Sequence, residues 1–318
     1  MRFKHLATTA LPVDPQFQWL WYSNQTCSFI FGDDRNAFAL PVSNPAAPSS
    51  FTPARPFDNR IPPHHPCNLP IPDSLYEEMT SQPWHGFHFL EPGAYELSVD
   101  CGEPADGDLL RTLVFGLNYG HLLLHRASNL IFRHRSGSME LLERSANGFR
   151  FLAKTRTRGS AIMDFAAHPI EPMIAYGDNA GNFHAHRFDA DGFGKASKIA
   201  ARQRKASRIE FLQSGQRLMI GGMGYLAALS YSGGKFVPVD ETSTPVRDFV
   251  LACDEKVVLV NQGLHGVTAY NSDGLVKAGA LEPQVSVREI AVSGDWRYLA
   301  VAMQDTTAIN IYEILADS

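Results

Sequence analysis

Cysteine is scarce in this sequence of 318 residues, and long apolar segments are missing. The four cysteines, Cys27, Cys67, Cys101 and Cys253, are far apart and form no CxxC pair. That pattern disfavours a zinc knuckle or a disulfide framework and suits a reducing compartment. The N-terminus lacks the apolar run of ~7–15 residues that a signal peptide needs, and no stretch reaches the ~18 apolar residues of a membrane span. We therefore expect a cytoplasmic protein with no membrane span.

Local enzyme signatures are also missing. The sequence contains no GxSxG elbow, no Walker A loop, no HExxH pair and no dinucleotide fingerprint after a strand. The glycine cluster at Gly221, Gly222 and Gly224 lies between two short apolar strands, so turn formation explains it better than phosphate binding. A net charge of −5 disfavours general nucleic-acid binding, which needs a basic face. These absences disfavour an enzyme, and the sequence predicts no cofactor.

The second half of the chain is self-similar. Each segment reads as a short apolar strand, a turn, a second apolar strand, a turn with Gly or Asp, and an alternating third strand. The acids Asp164, Glu210, Asp248 and Glu289 follow the start of each first strand and give periods of 46, 38 and 41 residues. Runs such as MIAYG and YLAVAM are too short for helices. Periods of roughly 40–45 residues with this strand chemistry predict propeller blades.

One segment, residues 161–189, resembles a WD repeat. The resemblance depends on a first-turn triplet, three second-turn residues and a final aromatic–acid pair: Ala167-His168-Pro169, Asp178, Asn179, Gly181 and Phe188-Asp189. The resemblance to the WD-repeat β-propellers is clearest over residues 160–318. It implies four-stranded blades, a structural hydrogen-bonding role for Asp178, and partner docking near the rim of a central channel.

We therefore predict an all-β fold, a single β-propeller domain over residues 1–318 with about seven four-stranded blades. The first half contributes less regular strands, such as FQWLWYS and NLIFRHR. A proline-rich insertion is predicted at 44–75, because 12 of the 20 prolines lie in 41–92 and proline cannot donate to a strand ladder. The last segment offers three strands, so residues 1–10 are expected to add the fourth and remove an open edge.

The recurring acids are the first candidate site. Asp164, Glu210, Asp248 and Glu289 could form an acidic ring that accepts a basic segment of a partner. Two of them follow an arginine, Arg247 and Arg288 respectively. The alternative is that each acid pairs with an arginine or caps a neighbouring turn as part of the repeat, and repetition itself favours this alternative.

The second candidate is a basic run between residues 195 and 208. Its cations are Lys195, Lys198, Arg202, Arg204, Lys205 and Arg208. Such a run can hold phosphate or a nucleic-acid backbone. It lacks the interleaved aromatic residues that stack on bases, so a solvated strand and loop is the favoured interpretation.

Histidine is the third candidate. His64 and His65 precede Cys67, and His184 and His186 lie on one face of a strand. No second ligand pair at a recognisable spacing completes a tetrahedral set. The sequence therefore predicts no metal site.

Three functions follow from these patterns. The favoured one is a non-catalytic scaffold or complex subunit that docks one or more partner proteins through propeller faces and the proline-rich insertion. The alternative is a metal-dependent propeller hydrolase or lactonase with a calcium ion in the axial channel, held by the four recurring acids. Such scattered ligands leave no local motif. The third is a nucleic-acid-associated factor that uses the basic run.

Overall fold

The computed structural model describes only part of the chain. The described residues are 1–10, 19–32, 37–45, 48–50, 122–125, 130–135, 138–145, 148–157, 162–189, 191–199, 201, 204–281, 286–304, 306 and 308–315. Most of the predicted proline-rich insertion lies outside them. The chain divides into two compact units. Unit 1 comprises Met1–Thr80 and Val246–Ser318, and unit 2 comprises Ser81–Pro245.

Antiparallel strands dominate the described residues. They form 25 strands in six sheets, five of four strands and one of five. Most sheets follow chain order as a meander, which is the arrangement of a propeller blade. The predicted all-β fold of the propeller type is thereby confirmed. The strands predicted within residues 84–118 lie outside the described part, where a further blade was expected.

Helical structure in the described residues is limited to one 3₁₀ turn, Gly263–His265. No described helix has the length and apolar character that a membrane crossing requires.

Unit 1 contains three sheets within its described residues. The first consists of β2 (Trp19–Ser23), β3 (Ser28–Gly32), β4 (Ala37–Pro41) and β5 (Ser49–Ser50). The second consists of β19 (Asp248–Ala252), β20 (Val257–Asn261), β21 (Val267–Asn271) and β22 (Lys277–Ala280). The third consists of β1 (Arg2–Ala10), β23 (Val287–Val292), β24 (Tyr298–Met303) and β25 (Ala308–Leu315). Apolar side chains of β24 pack against those of both other sheets, so the core of unit 1 lies between sheet faces.

The third sheet joins residues from distant parts of the sequence. Its strand order is β1-β25-β24-β23. Strand β1 runs antiparallel to β25 from the pair Arg2 and Leu315 to the pair Ala10 and Ala308. A hydrogen bond of 2.8 Å between the Thr8 hydroxyl and Asn310 Oδ1 adds a side-chain link. Strand β1 therefore supplies the fourth strand that the last segment lacks, in the position expected for residues 1–10.

Unit 2 also contains three described sheets. The first consists of β6 (Leu122–His125), β7 (Leu130–Arg135), β8 (Ser138–Ser145) and β9 (Gly148–Arg156). The second consists of β10 (Ile162–Ala167), β11 (Met173–Asp178), β12 (Phe183–Asp189), β13 (Gly192–Phe193) and β14 (Ser197–Ile199). The third consists of β15 (Ala206–Phe211), β16 (Arg217–Gly222), β17 (Tyr225–Ser232) and β18 (Lys235–Thr242). Buried side chains from adjacent sheets interdigitate here as in unit 1.

The turn between β11 and β12 explains the WD-like residues there. Asp178 is buried, and its Oδ1 accepts the backbone N–H groups of Ala180 at 2.9 Å and Asn182 at 2.8 Å. The carboxylate thus closes the turn, as an Asp at this place in a hairpin does. The observed role of Asp178 is structural.

Candidate functional site

The first strands of four sheets share one position, opposite the fifth residue of the second strand. The residues there are Asp164 in β10, Arg208 in β15, Asp248 in β19 and Glu289 in β23. In each strand an apolar Phe or Ile follows, as DFAA, RIEF, DFVL and EIAV show. The predicted equivalence of Glu210 is therefore wrong, because Glu210 lies two residues beyond the shared position. With Arg208 in its place the spacings become 44, 40 and 41 residues, which is more even.

A β-bulge precedes the shared position in three of these strands. The register shifts in β10, β15 and β23, and the extra residues are Met163, Ser207 and Arg288. A bulge bends the strand locally and redirects side chains, and bulges are common beside functional sites. In β23 the bulged residue is Arg288, which immediately precedes Glu289.

In unit 2 the shared position has structural roles. Asp164 is 1% exposed, and its Oδ2 accepts the N–H of Ile209 in the adjacent sheet at 2.6 Å. Arg208 is also buried, and its Nη2 lies 3.3 Å from Oε2 of Glu210. Asp164 therefore links its sheet to the adjacent sheet. The opposite charges of Arg208 and Glu210 balance each other.

We expect Asp164→Ala to lower the free energy of unfolding by about 1–3 kcal/mol, because the substitution leaves a buried backbone N–H without its acceptor. Asp191→Ala is the matched control, since Asp191 is exposed. Urea denaturation of both variants, followed by circular dichroism, measures the difference. Equal midpoints for the two variants would contradict the structural role of Asp164.

In unit 1 the shared position belongs to a different arrangement, which we call the Arg–Glu cluster and define as Arg247, Asp248, Arg288 and Glu289. Arg247 is exposed and immediately precedes β19. Asp248 opens β19, and its Oδ1 accepts the N–H of Phe249 at 2.8 Å. Arg288 and Glu289 are both partly buried on β23. The cluster thus combines two guanidinium groups with two carboxyl groups from neighbouring segments.

The electrostatics of the cluster centre on Glu289. The pKa of the Glu289 carboxyl is raised to about 7, mainly by burial and further by the Asp248 carboxylate, while Arg247 and Arg288 act in the opposite direction. Burial also lowers the pKa of Arg288, Glu289 counteracts that shift, and Arg247 adds to it. A carboxyl that titrates near neutral pH can take up and release a proton during a reaction, and such groups concentrate at functional sites.

One buried residue fixes the backbone on both sides of the cluster. Asn261 at the end of β20 is 0% exposed. Its carbonyl accepts the N–H of Arg247 at 2.9 Å, and its Nδ2 donates to the carbonyl of Arg288 at 3.0 Å. Its Oδ1 accepts the N–H of Gly263 at 2.9 Å. The backbones at both arginines are therefore tied to the same residue, Arg247 through the main chain of Asn261 and Arg288 through its side chain.

The calcium site of the alternative hydrolase interpretation does not fit the described residues. Calcium takes roughly six to eight oxygen ligands. Within the described ranges, no group of three or more His, Cys, Asp or Glu side chains is placed to hold a metal ion. The Asp164 and Glu210 oxygens already contact N–H groups of Ile209 and Arg208. We derive no chemical step through a metal.

The cations of the basic run differ in exposure and in local contacts. Lys195, Lys198 and Lys205 are exposed, whereas Arg208 is buried beside Glu210 and Arg202 lies outside the described residues. The Arg204 guanidinium lies 5.5 Å from the centre of the Tyr225 ring, and its Nη1 donates to the carbonyl of Gly224 at 3.4 Å. At least two of the six cations therefore have local structural partners.

The histidine candidates have separate surroundings. His184 Nε2 lies 3.6 Å from Oδ2 of Asp178, and His186 Nδ1 is 3.0 Å from the carbonyl of Gly194. Both rings contact the Tyr176 ring. His64, His65 and Cys67 lie outside the described residues.

Sequence analysis missed a polar network in unit 2. Arg187 Nη2 donates to Oε2 of Glu171 at 2.6 Å and to the Tyr231 oxygen at 2.9 Å, while the Tyr231 hydroxyl donates to the same Glu171 oxygen at 2.7 Å. The hydrogen bond from Tyr231 is the main cause that lowers the pKa of Glu171. Because 60 residues separate Glu171 from Tyr231, no local pattern indicated the contact. The network links two sheets and leaves Glu171 charged at neutral pH.

Comparison with known proteins reveals a structural likeness. No protein-family model matches the chain, and no curated protein matches it. Among solved structures, a Bacteroides fragilis protein named as a 6-phosphogluconolactonase superposes with a TM-score of 0.50 at 17% identity. The match covers 60% of this chain and 65% of that protein, so it extends over less than two thirds of its length. The fold of that protein is similar to the fold of this chain. The resemblance of this chain to WD-repeat proteins stays a prediction.

This likeness bears on the function expected from the sequence. The solved neighbour carries the name of an enzyme that acts on a lactone, not that of a scaffold. The comparison therefore contradicts the non-catalytic scaffold interpretation.

Proposed function

We propose that this protein is a hydrolase that opens a lactone ring, with Glu289 as the base that activates water. The observation that carries the proposal is the Arg–Glu cluster, in which a partly buried carboxyl with a pKa of about 7 lies among two arginines and Asp248. A base that titrates near the working pH is well matched to proton transfer in a transition state. The name of the solved neighbour supports a lactone as the substrate class.

The proposed reaction uses residues of unit 1 alone. The Glu289 carboxylate removes a proton from a water molecule as the water oxygen attacks the lactone carbonyl carbon. The electron pair of the carbonyl moves onto its oxygen and returns as the ring C–O bond breaks. The departing ring oxygen takes the proton from the Glu289 carboxyl and becomes a hydroxyl. The product is an open-chain hydroxy acid, which loses its acidic proton to solvent.

The arginines would stabilise the negative charge that develops on the carbonyl oxygen. A preorganised guanidinium is a strong donor to such an oxyanion, and interactions of this kind usually make the largest contribution to catalysis. Asn261 holds the backbone of both arginines in place through the two hydrogen bonds described above. Arg288 is the closer candidate in sequence, since it directly precedes Glu289.

The first test is a hydrolysis assay with D-glucono-1,5-lactone, its 6-phosphate and γ-butyrolactone. Acid release measured with a pH indicator is expected to exceed the spontaneous rate for at least one of them. The value of kcat/KM should rise between pH 6 and pH 8 with a midpoint at about 7, because only ionised Glu289 accepts a proton. Heat-denatured protein gives the background at each pH. Ring opening at the spontaneous rate throughout would overturn the proposal.

The same assay addresses the metal-dependent version predicted from the sequence. Dialysis against EDTA, followed by addition of calcium, measures directly whether a metal ion takes part.

A further inference from the structure

The turn between β10 and β11 is closed by a histidine ring. His168 is buried, and its Nδ1 accepts the backbone N–H groups of Ile170 at 3.2 Å and Glu171 at 2.9 Å. An imidazole nitrogen that accepts a hydrogen bond carries no proton. The two backbone donors therefore identify Nδ1 as the unprotonated nitrogen of the ring.

The other ring nitrogen links this turn to the adjacent sheet of unit 2. His168 Nε2 lies 3.0 Å from the carbonyl oxygen of Gly215, in the turn between β15 and β16. A carbonyl oxygen only accepts, so Nε2 carries the single ring proton and donates it. Gly215 has a φ of +70°, and a Cβ on it would lie 2.2 Å from the ring, so the contact requires glycine there. The ring therefore makes all these contacts only as one neutral tautomer.

The surroundings of the ring combine aromatic packing with a few polar groups. Its centre lies 5.0 Å from the centre of the Phe211 ring and 5.2 Å from that of the Tyr231 ring. The charged or titratable groups around it are the Glu171 carboxyl on its own turn, the Arg187 guanidinium on β12 and the Tyr231 hydroxyl on β17. The Glu171 carboxylate attracts a cationic ring, but its Oε2 already accepts hydrogen bonds from Tyr231 and Arg187.

Protonation of the ring is incompatible with the closed turn. A cationic imidazole carries hydrogen on both nitrogens, so its Nδ1–H would point at the N–H groups of Ile170 and Glu171. Both hydrogen bonds are then lost. In an open turn the imidazole is in water, where histidine titrates near pH 6.5. Acid therefore favours the open form, because the open turn binds one more proton than the closed turn.

We propose that His168 is a pH-sensitive latch, which holds the β10–β11 turn against the sheet of β15–β18 at neutral pH and releases it below about pH 6. The hydrogen bond from the Tyr231 hydroxyl to Glu171 joins the same turn to the same sheet, so we expect both contacts to open together. This inference is independent of the proposed hydrolysis, since the latch lies in unit 2 and the proposed reaction uses unit 1.

The test is hydrogen–deuterium exchange of the full-length protein at pH 7.5 and pH 5.5, measured by mass spectrometry and corrected for the intrinsic exchange rate at each pH. Pro169 and Pro172 have no N–H, so Ile170 and Glu171 supply the exchangeable amides inside the turn. Their protection is expected to fall about tenfold at pH 5.5, because a one-proton linkage with a midpoint near pH 6.5 changes the open population by about that factor.

The turn between β11 and β12 is the internal control. Its N–H groups, those of Ala180 and Asn182, are also held by a buried side chain, the Asp178 carboxylate. Carboxylic acids ordinarily titrate well below pH 5.5, so this turn should keep its protection at both pH values.

Variants assign the effect to one ring. His168→Asn supplies a side-chain oxygen that accepts N–H groups two and three residues on and does not titrate, as asparagine does in such turns. The change with pH in this turn should disappear in the variant. His265→Asn replaces an exposed histidine of unit 1 and should keep the wild-type change.

Each outcome decides for or against the latch. Faster exchange that is confined to this turn and depends on His168 supports it. Equal protection of the turn at both pH values overturns it, and this result comes from the wild type alone. A change with pH that persists in His168→Asn overturns it as well, and would point to the buried His184 and His186. Loss of protection throughout unit 2 at pH 5.5 also overturns it, because acid then unfolds the whole unit and not one turn.

Discussion

Glu289→Gln is expected to reduce kcat/KM for lactone hydrolysis by roughly 10²–10⁴, the usual contribution of a positioned general base. Glutamine has nearly the same shape as glutamate, but its amide cannot take a proton from water. The dependence on pH between 6 and 8 should disappear with the activity, because the group that titrates at about 7 has been removed. Pre-steady and steady-state rates across this pH range measure both effects.

A stability measurement separates loss of the base from loss of the fold. The pKa of Glu289 is raised from an ordinary 4.5 to about 7, so between these values the folded state binds more protons than the unfolded state. The stability that this difference contributes is complete below about pH 4.5 and is lost as the pH rises through 7. At pH 8 the wild type carries a partly buried carboxylate that Glu289→Gln lacks. The variant should therefore be at least as stable as the wild type at pH 8.

The matched control for this variant is Glu313→Gln. Glu313 is a carboxylate of unit 1 that lies outside the Arg–Glu cluster and pairs with Lys4 at 3.7 Å. Its replacement should leave kcat/KM close to the wild-type value. A similar loss of activity in both variants would contradict a specific role for Glu289.

Deletion of residues 1–10 is expected to lower the free energy of unfolding by several kcal/mol. The deletion removes all of β1, and each backbone hydrogen bond to β25 contributes on the order of 1 kcal/mol net. It also leaves β25 as an exposed edge, which is a template for pairing with another chain. Thermal denaturation should show a much lower midpoint, and light scattering should show association of the shortened protein.

Lys4→Ala is the control for the deletion. It keeps the strand and removes only the exposed ion pair with Glu313, which contributes at most about 1 kcal/mol. If the shortened protein has the same midpoint of thermal denaturation as the Lys4→Ala variant and stays monomeric, β1 is dispensable for stability.

The strands and their order could be predicted because they depend on local patterns. Runs such as YLAVAM in β24 alternate or stay apolar over five or six residues and end at turn residues, and adjacent strands of a meander need no long-range information. The fourth strand of the last sheet was predictable for a different reason. Three strands at the end of the chain require a partner from elsewhere, and residues 1–10 carry the necessary pattern.

Register could not be predicted from the sequence. Glu210-Phe211 resembles Asp164-Phe165, so sequence comparison aligned the two acids. The bulge at Ser207 sets Arg208 opposite Gly221, and this makes Arg208 the equivalent of Asp164. A bulge adds one unpaired residue to one strand, and nothing in the composition of that strand marks the addition.

The Arg–Glu cluster was found in part. The sequence indicated Arg247, Asp248, Arg288 and Glu289 as candidates but gave them the role of a docking rim. The proposed chemistry depends on the distance between β19 and β23 and on the burial of Glu289, which arise only when the two sheets pack. The absence of a local enzyme motif was therefore weak evidence for a scaffold, because site residues about 40 positions apart in the sequence form no local motif.

Synthesis of the chain imposes an order on the last sheet. Strand β1 is synthesised close to 300 residues before β25. At translation rates of roughly 5–20 residues per second, β1 waits on the order of 15–60 seconds for its partner. During that interval its backbone donors and acceptors are available to any other unpaired strand. This sheet therefore cannot be completed until β25 has been synthesised.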